Sequence, residues 1–234
     1  MQGLLLVDKP TDWTSFDAVN YVRRIVAKAE DKKPKNCKVG HCGTLDPFAT
    51  GLLILLVGKE YTRRAGEFSK LDKTSEKTMR LGQTSTTGDP EGEVMAVSSV
   101  VPTLQDIEAA VAGFRGLIEQ IPPMYSAIKI DGQRAYKLAR EGKEVIIPAR
   151  PVTVNRLEII DYAYPEVRLV AEVTSGTYIR ALVEDIGQVL GTGAYTTQLR
   201  RTHIANYSVS EAVTPQTDDI LARLFTIPLT ANTA

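Results

Sequence analysis

The chain is poor in the residues that build covalent or metal-held frameworks. Its 234 residues include two cysteines, two histidines and one tryptophan. Cys37 and Cys42 cannot make a disulfide framework. They lie near His41, with His203 far away, but the spacing is not C-x-x-C and structural zinc takes four ligands, so no metal is expected. A Ser-His-Asp triad would have to use His41 or His203, and neither sits in a nucleophile elbow. There is no P-loop, no G-x-G-x-x-G after a strand and no H-E-x-x-H, so nucleotide hydrolysis, dinucleotide cofactors and zincin chemistry lack support.

Long apolar runs are also missing. The longest, Leu52–Val57, is too short to span a bilayer. The N-terminus has no basic region and only a short apolar stretch, so no secretory signal is expected. The expected setting is the reducing cytoplasm, with no membrane partner.

An excess of charge of either sign is absent too. Lys plus Arg and Asp plus Glu are both 28, so the formal net charge is zero. That excludes a protein basic all over, but a local basic face suffices for a nucleic-acid enzyme. Between Val22 and Lys38 seven basic residues face two acidic ones, and from Lys129 to Arg150 six face three. From Ala205 onward Arg223 faces Glu211, Asp218 and Asp219. Taken singly, each run reads as a solvated face. Together the basic runs are compatible with a shared phosphate-binding surface.

The hydrophobic pattern predicts a strand over Gly3–Val7 and a helix capped by Ser15 with Phe16, Val19, Val22 and Val26 on one face. Val39–Gly51 reads as a loop, Leu52–Val57 as a buried strand, and Thr74–Gly82 and Glu93–Val97 as strands. Thr103 is expected to cap a helix to about Phe114. A strand over Met124–Asp131, a short helix over Gln133–Glu141 and strands over Val152–Ile160 and Arg168–Thr174 follow. Tyr178–Leu190 is a strong helix stopped by Gly191 and Gly193. Gln198–Ile204 reads as a strand and Pro215–Leu224 as a last helix. Strand runs without regular βαβ spacing indicate an α+β fold with a mixed, mainly antiparallel sheet flanked by helices.

Two segments stand out chemically. In Gly40-His41-Cys42-Gly43-Thr44-Leu45-Asp46-Pro47, glycines and a proline surround one carboxylate. Held rigidly, Asp46 can act as a nucleophile at an anomeric carbon or as a general base. The plain alternative is a turn opened by Asp-Pro, and for one Asp-Pro on its own that is the better reading. In Ser175-Gly176-Thr177-Tyr178-Ile179-Arg180, Tyr178 offers a ring for stacking on a base and Arg180 a fork for a carboxylate or phosphate. The plain alternative there is a surface salt bridge and a core tyrosine, again the better reading of that segment alone.

Seven segments in order resemble one family. They are Gly3–Pro10, the Gly40–Gly51 loop, Arg80-Leu81-Gly82, Ile121–Lys129, Ala149–Val154, Gly176–Arg180 and Leu199-Arg200-Arg201. They are similar to the bacterial tRNA pseudouridine-55 synthases of the TruB family, over nearly the whole chain. The resemblance implies an isomerase that flips the T-loop uridine of tRNA out of its stack, breaks its N-glycosidic bond and rejoins the base through carbon. It implies a pseudouridine-synthase fold at 1–228 with an RNA-gripping insertion at about 121–152, a short tail at 229–234 and no PUA domain. No cofactor is needed, and a monomer acting on the T-arm is expected.

Carried over by position, Asp46 would be nucleophile or base at the sugar, with Arg180 as its partner and Tyr178 on the flipped uridine. His41, Leu199 and Lys9 would line or support the base pocket. Lys32, Lys33, Lys129, Arg140, Lys143 and Arg150 would grip RNA. Three features depart from the pattern. Ser75 stands where the family has a tyrosine that stacks on the base and is implicated in proton removal. Cys42 stands where a threonine is usual. The chain ends at Ala234, soon after the last predicted helix. The serine motivates an alternative: a tRNA-binding or tRNA-folding relative with impaired catalysis.

Overall fold

The computed structural model describes residues 1–126, 128–130, 132–141 and 146–227. In chain order its elements begin with β1 (Gly3–Lys9), α1 (Ser15–Ala29), β2 (Val39–Cys42), β3 (Thr50–Val57), α2 (Lys59–Arg63) and α3 (Ala65–Ser69). Next come β4 (Lys73–Leu81), β5 (Gln83–Ser85), β6 (Val94–Ala96), α4 (Leu104–Ala112), β7 (Gly116–Gln120), β8 (Lys129–Ile130), β9 (Gln133–Arg134) and α5 (Ala135–Arg140). The last are β10 (Arg150–Ala163), β11 (Glu166–Val173), α6 (Ile179–Val189), β12 (Ala194–Ile204) and β13 (Tyr207–Ser208). The chain divides into two compact units, one of residues 1–71 with 200–234 and one of residues 72–199.

In the first unit β1 pairs antiparallel with β3 from Gly3↔Val57 to Lys9↔Gly51. Leu52–Val57 is wholly buried, as a continuous apolar run in a central strand should be. β2 adds antiparallel to β3, and Arg200 and Arg201 pair in parallel with Thr50 and Gly51. Gly51 has φ +104°, and a Cβ there would fall 2.2 Å from the Arg201 carbonyl oxygen, so only glycine admits so close an approach. Helix α1 buries Ala18, Val19, Val22 and Val26. Its N-cap is Thr14, in a reciprocal capping box with Asp17. The expected cap, Ser15, is instead the first helical residue, and its hydroxyl is spent elsewhere.

In the second unit β4, β11, β10 and β7 lie side by side, all antiparallel. The core joins Met79, Leu81, Leu157, Val167, Leu169 and Ala171 of the strands to Ile107 of α4 and Leu182, Val183 and Ile186 of α6. Only the short Arg200–Arg201 ladder is parallel among the described ladders, in keeping with a mixed, mainly antiparallel sheet.

Several local expectations change. The Val39–Gly51 segment contains strand β2 before its loop, because the β3 edge offers backbone partners to Val39–Cys42. Of the strand expected over Met124–Asp131, the described residues keep Lys129–Ile130, paired in a hairpin with Gln133–Arg134. The short helix begins after that hairpin, at Ala135. Pro215–Leu224 yields only a 3-10 turn at Ile220–Arg223, since Asp219 takes a left-handed backbone (φ +53°) that ends any earlier helix. No described helix is long and apolar enough to cross a membrane.

Candidate functional site

In the first unit the loop between β2 and β3 presents Asp46 and is pinned residue by residue. The Ser15 hydroxyl donates to the Leu45 carbonyl at 3.1 Å and accepts from its amide at 2.8 Å. Arg201, buried, donates to the carbonyls of Leu52 (2.7 Å), Gly43 (3.0 Å) and Thr44 (3.4 Å). The Lys9 ammonium, wholly buried, donates to the carbonyls of Trp13 (2.6 Å), Pro10 (2.8 Å) and Pro47 (3.2 Å). The Pro47 carbonyl also accepts from the Asp12 amide at 2.9 Å, and the Ala49 amide closes a turn onto the Asp46 carbonyl at 3.1 Å.

The segment from Gly43 to Pro47 is therefore held from both sides of Asp46, whose own residue stays partly exposed. Burial pushes the Arg201 guanidinium down to about 10, against the raising influence of the Asp46 and Cys42 charges. Asp46 thus lies within electrostatic reach of a buried cation. Next to Arg201, Arg200 grips Asp8 with two hydrogen bonds, 2.7 and 3.0 Å. His41 lies on β2 opposite Leu55.

In the second unit Arg180 sits in the first turn of α6 and is buried, so its ion pair is not a surface one. Its guanidinium pairs with Asp89 at 3.1 Å, both side chains being nearly inaccessible. It also donates to the carbonyls of Thr87 (2.7 Å) and Tyr125 (2.8 Å). Asp89 in turn accepts from the Thr87 hydroxyl at 2.5 Å and the Glu91 amide at 3.0 Å. Tyr178 is the N-cap residue of α6, and its backbone is clamped by the buried Gln120. Gln120 Oε1 accepts from the Tyr178 amide at 2.8 Å, and Gln120 Nε2 donates to the Tyr178 carbonyl at 3.1 Å. Leu199 is buried on β12.

Ser75 is buried on β4 opposite Ala171. Two residues on, facing the same way, Lys77 lies opposite Leu169, fully buried, with no described hydrogen-bond partner. Desolvation pushes its ammonium down to about 7.

Sequence reasoning missed Asp89, Gln120 and Lys77. Asp89 sits in Thr87-Gly88-Asp89-Pro90, which reads as an ordinary turn, and Gln120 ends a strand that the pattern did not show. The RNA-gripping candidates fall in both units. Lys32 is exposed and ion-paired with Glu30 at 2.9 Å, and Lys33 is exposed beside it. Lys129 lies on β8, Arg140 ends α5, and Arg150 opens β10, exposed, opposite Gln120. Lys143 lies outside the described residues.

Residues 29–179 match the model of the TruB family pseudouridylate synthase (N terminal domain). Residues 180–224 match that of the tRNA pseudouridylate synthase B C-terminal domain. A tRNA pseudouridine synthase B of Pseudomonas putida is 47% identical over 214 residues, 92% of this chain and 67% of that protein. One from Mycobacteroides abscessus is 44% identical over 218 residues, 91% of this chain and 70% of that protein. Among solved structures, a chain of a Cbf5-Nop10-Gar1 complex aligns with TM-score 0.66 and 27% identity, covering 91% of this chain. The present chain spans about half of that solved chain, 52%.

Proposed function

The chain belongs to the TruB family of pseudouridylate synthases, and we propose that it converts uridine 55 in the T-loop of tRNA to pseudouridine, as a cytoplasmic monomer docking on the T-arm. Family membership makes it an isomerase acting on tRNA. The N1–C1′ bond of uridine breaks, the base turns, and a C5–C1′ bond forms. The hydrogen leaves C5 and N1 gains one. Nothing is oxidised or reduced overall, so the chemistry calls for no redox cofactor. The comparisons give no support to a binding-only reading.

The single observation that carries the catalytic assignment is the fixing of Asp46. Ser15, Arg201 and Lys9 hold the backbone on both sides of it, which is the preorganisation a carboxylate needs to act as nucleophile or base at a sugar. Arg180 is assigned as its guanidinium partner, favouring the ionised carboxylate. Tyr178, with a backbone fixed by Gln120, is assigned to the flipped uridine. His41, Leu199 and Ser75 line the base pocket in this reading, and Lys9 supports its wall. Lys32, Lys33, Lys129, Arg140, Lys143 and Arg150 are assigned to tRNA phosphates. Residues 121–152 serve as the insertion that grips RNA within a catalytic domain of 1–228.

The test is transcript tRNA incubated with the protein, with pseudouridine located and counted by mass spectrometry. Wild type is expected to modify position 55, and Asp46→Asn to fall by at least ~10³-fold. Equal product from both would remove Asp46 from the chemistry.

A further inference from the structure

Glu184 lies one helical turn after Arg180 on α6, on the same side of the helix. Its carboxylate presses on the loop that Arg180 grips. Gly88 has φ +72°, and a Cβ at that residue would fall 2.7 Å from Glu184 Oε1. The residues on either side of Gly88 both hold the guanidinium, Thr87 through its carbonyl and Asp89 through its carboxylate. The loop is also tied down elsewhere, since the Gly88 carbonyl accepts from the Thr196 amide at 3.0 Å and the Gly88 amide donates to the Ser85 carbonyl at 3.1 Å. No described residue donates a hydrogen bond to the Glu184 oxygens. Its partly buried charge is attracted by Arg180, with Asp89 and Asp185 opposing.

We propose that ionised Glu184 is a positioning residue for Arg180, holding the Thr87–Asp89 loop and the guanidinium in the arrangement the isomerisation uses. The proposal rests on the assignment of Arg180 to the active site. The Glu184 carboxylate lies within electrostatic reach of the guanidinium and against the Gly88 turn, adding a negative charge to that of Asp89, and protonation would remove it.

The surroundings make that protonation accessible. Burial raises the Glu184 carboxyl to about 6, with Asp185 and Asp89 pushing the same way and Arg180 opposing. α4 shares the apolar cluster with α6 through Ile107, Ala110 and Val111, while its own Asp106 and Glu108 are exposed. From β4 the buried charged side chain is Lys77. The exposed charges of β11 are Glu166 and Arg168.

The experiment measures kcat and KM for tRNA against pH for wild type, Glu184→Gln, Glu184→Asp and Arg180→Met, with a thermal melt of each. Wild-type kcat is expected to fall on the acid side with a midpoint near 6. Glu184→Gln, isosteric and uncharged, should lower kcat about fivefold at pH 8, leave KM within about twofold, and lose that acid limb. Glu184→Asp, which keeps the charge, should restore most of kcat together with an acid limb. A wild type without an acid limb near 6 overturns the proposal even if a variant fails to fold. So does a folded Glu184→Gln with wild-type kcat and limb, or equal losses in the Gln and Asp variants. If Arg180→Met is inactive while Glu184→Gln matches wild type, only this proposal fails. If Arg180→Met is fully active, the assignment of Arg180 fails with it.

Discussion

The Ser15 hydroxyl makes both hydrogen bonds that the backbone of Leu45 offers, accepting from its amide at 2.8 Å and donating to its carbonyl at 3.1 Å. One side chain at the start of α1 thus replaces a strand partner for the residue just before Asp46. Both groups are buried, so neither can turn to water.

Ser15→Ala should therefore cost stability and catalysis together. Leaving a buried donor and acceptor unmet costs about 1–3 kcal/mol each before relaxation. Loss of the tether lets Asp46 shift, and a displacement on the order of 1 Å costs up to about 10²-fold in rate. The expected result is a lower melting temperature and kcat reduced at least about tenfold, with KM for tRNA little changed. Single-turnover kinetics and a thermal melt check it. Unchanged kcat in a destabilised protein would show that the loop keeps its shape without Ser15.

The Asp46 loop was legible in the sequence because glycine and proline mark special backbone locally. Its fixings were not, because they come from distant segments. Arg201 reaches Gly43 and Thr44 only after β3 and β12 have paired, and nothing near Arg201 in sequence announces three carbonyl acceptors. Ser15 looked like a cap because serine caps helices well, yet Thr14 has Asp17 three residues on and completes the box. Strands β1, β3, β4, β10 and β11 and helix α6 are readable from apolar periodicity, whereas β2 and β7 are not, since edge pairing rather than a buried apolar face defines them. The helix that the pattern of Pro215–Leu224 predicts does not form, because a left-handed Asp219 leaves no trace in that periodicity. Lys77 was invisible, since in a strand expected to alternate a lysine reads as solvent-facing, whereas it points into the core beside Met79 and Leu169.

That burial predicts a pH-dependent stability. Unfolded, Lys77 titrates at its ordinary 10.5; folded, at about 7. Between those values the unfolded chain binds the proton and the folded chain does not, so stability rises with pH across that window. Below pH 7 the full cost of burying the amine is present, and above 10.5 it is gone. Lys77→Met should raise unfolding free energy at pH 7 by about 4–5 kcal/mol and flatten the slope between pH 7 and 10. Urea unfolding at a series of pH values measures both. An unchanged slope would mean that the folded protein keeps the amine charged, with water or a side chain reaching it.

Ser75 is buried on β4 opposite Ala171, at the position to which the motif resemblance assigns a tyrosine. A phenol supplies a stacking face, worth about 1–3 kcal/mol against a base, and a hydroxyl far more acidic than that of serine. Ser75 offers neither, so turnover should run below what the fixed Asp46 permits. Ser75→Tyr is expected to raise kcat at least about tenfold, with KM for tRNA moving less. Ser75→Phe separates the two contributions, since it restores stacking without the hydroxyl. A gain shared by both variants assigns the deficit to stacking, and a gain with tyrosine alone assigns it to proton removal. If both variants fold and neither gains, the serine is not limiting and another group already does the work of the tyrosine.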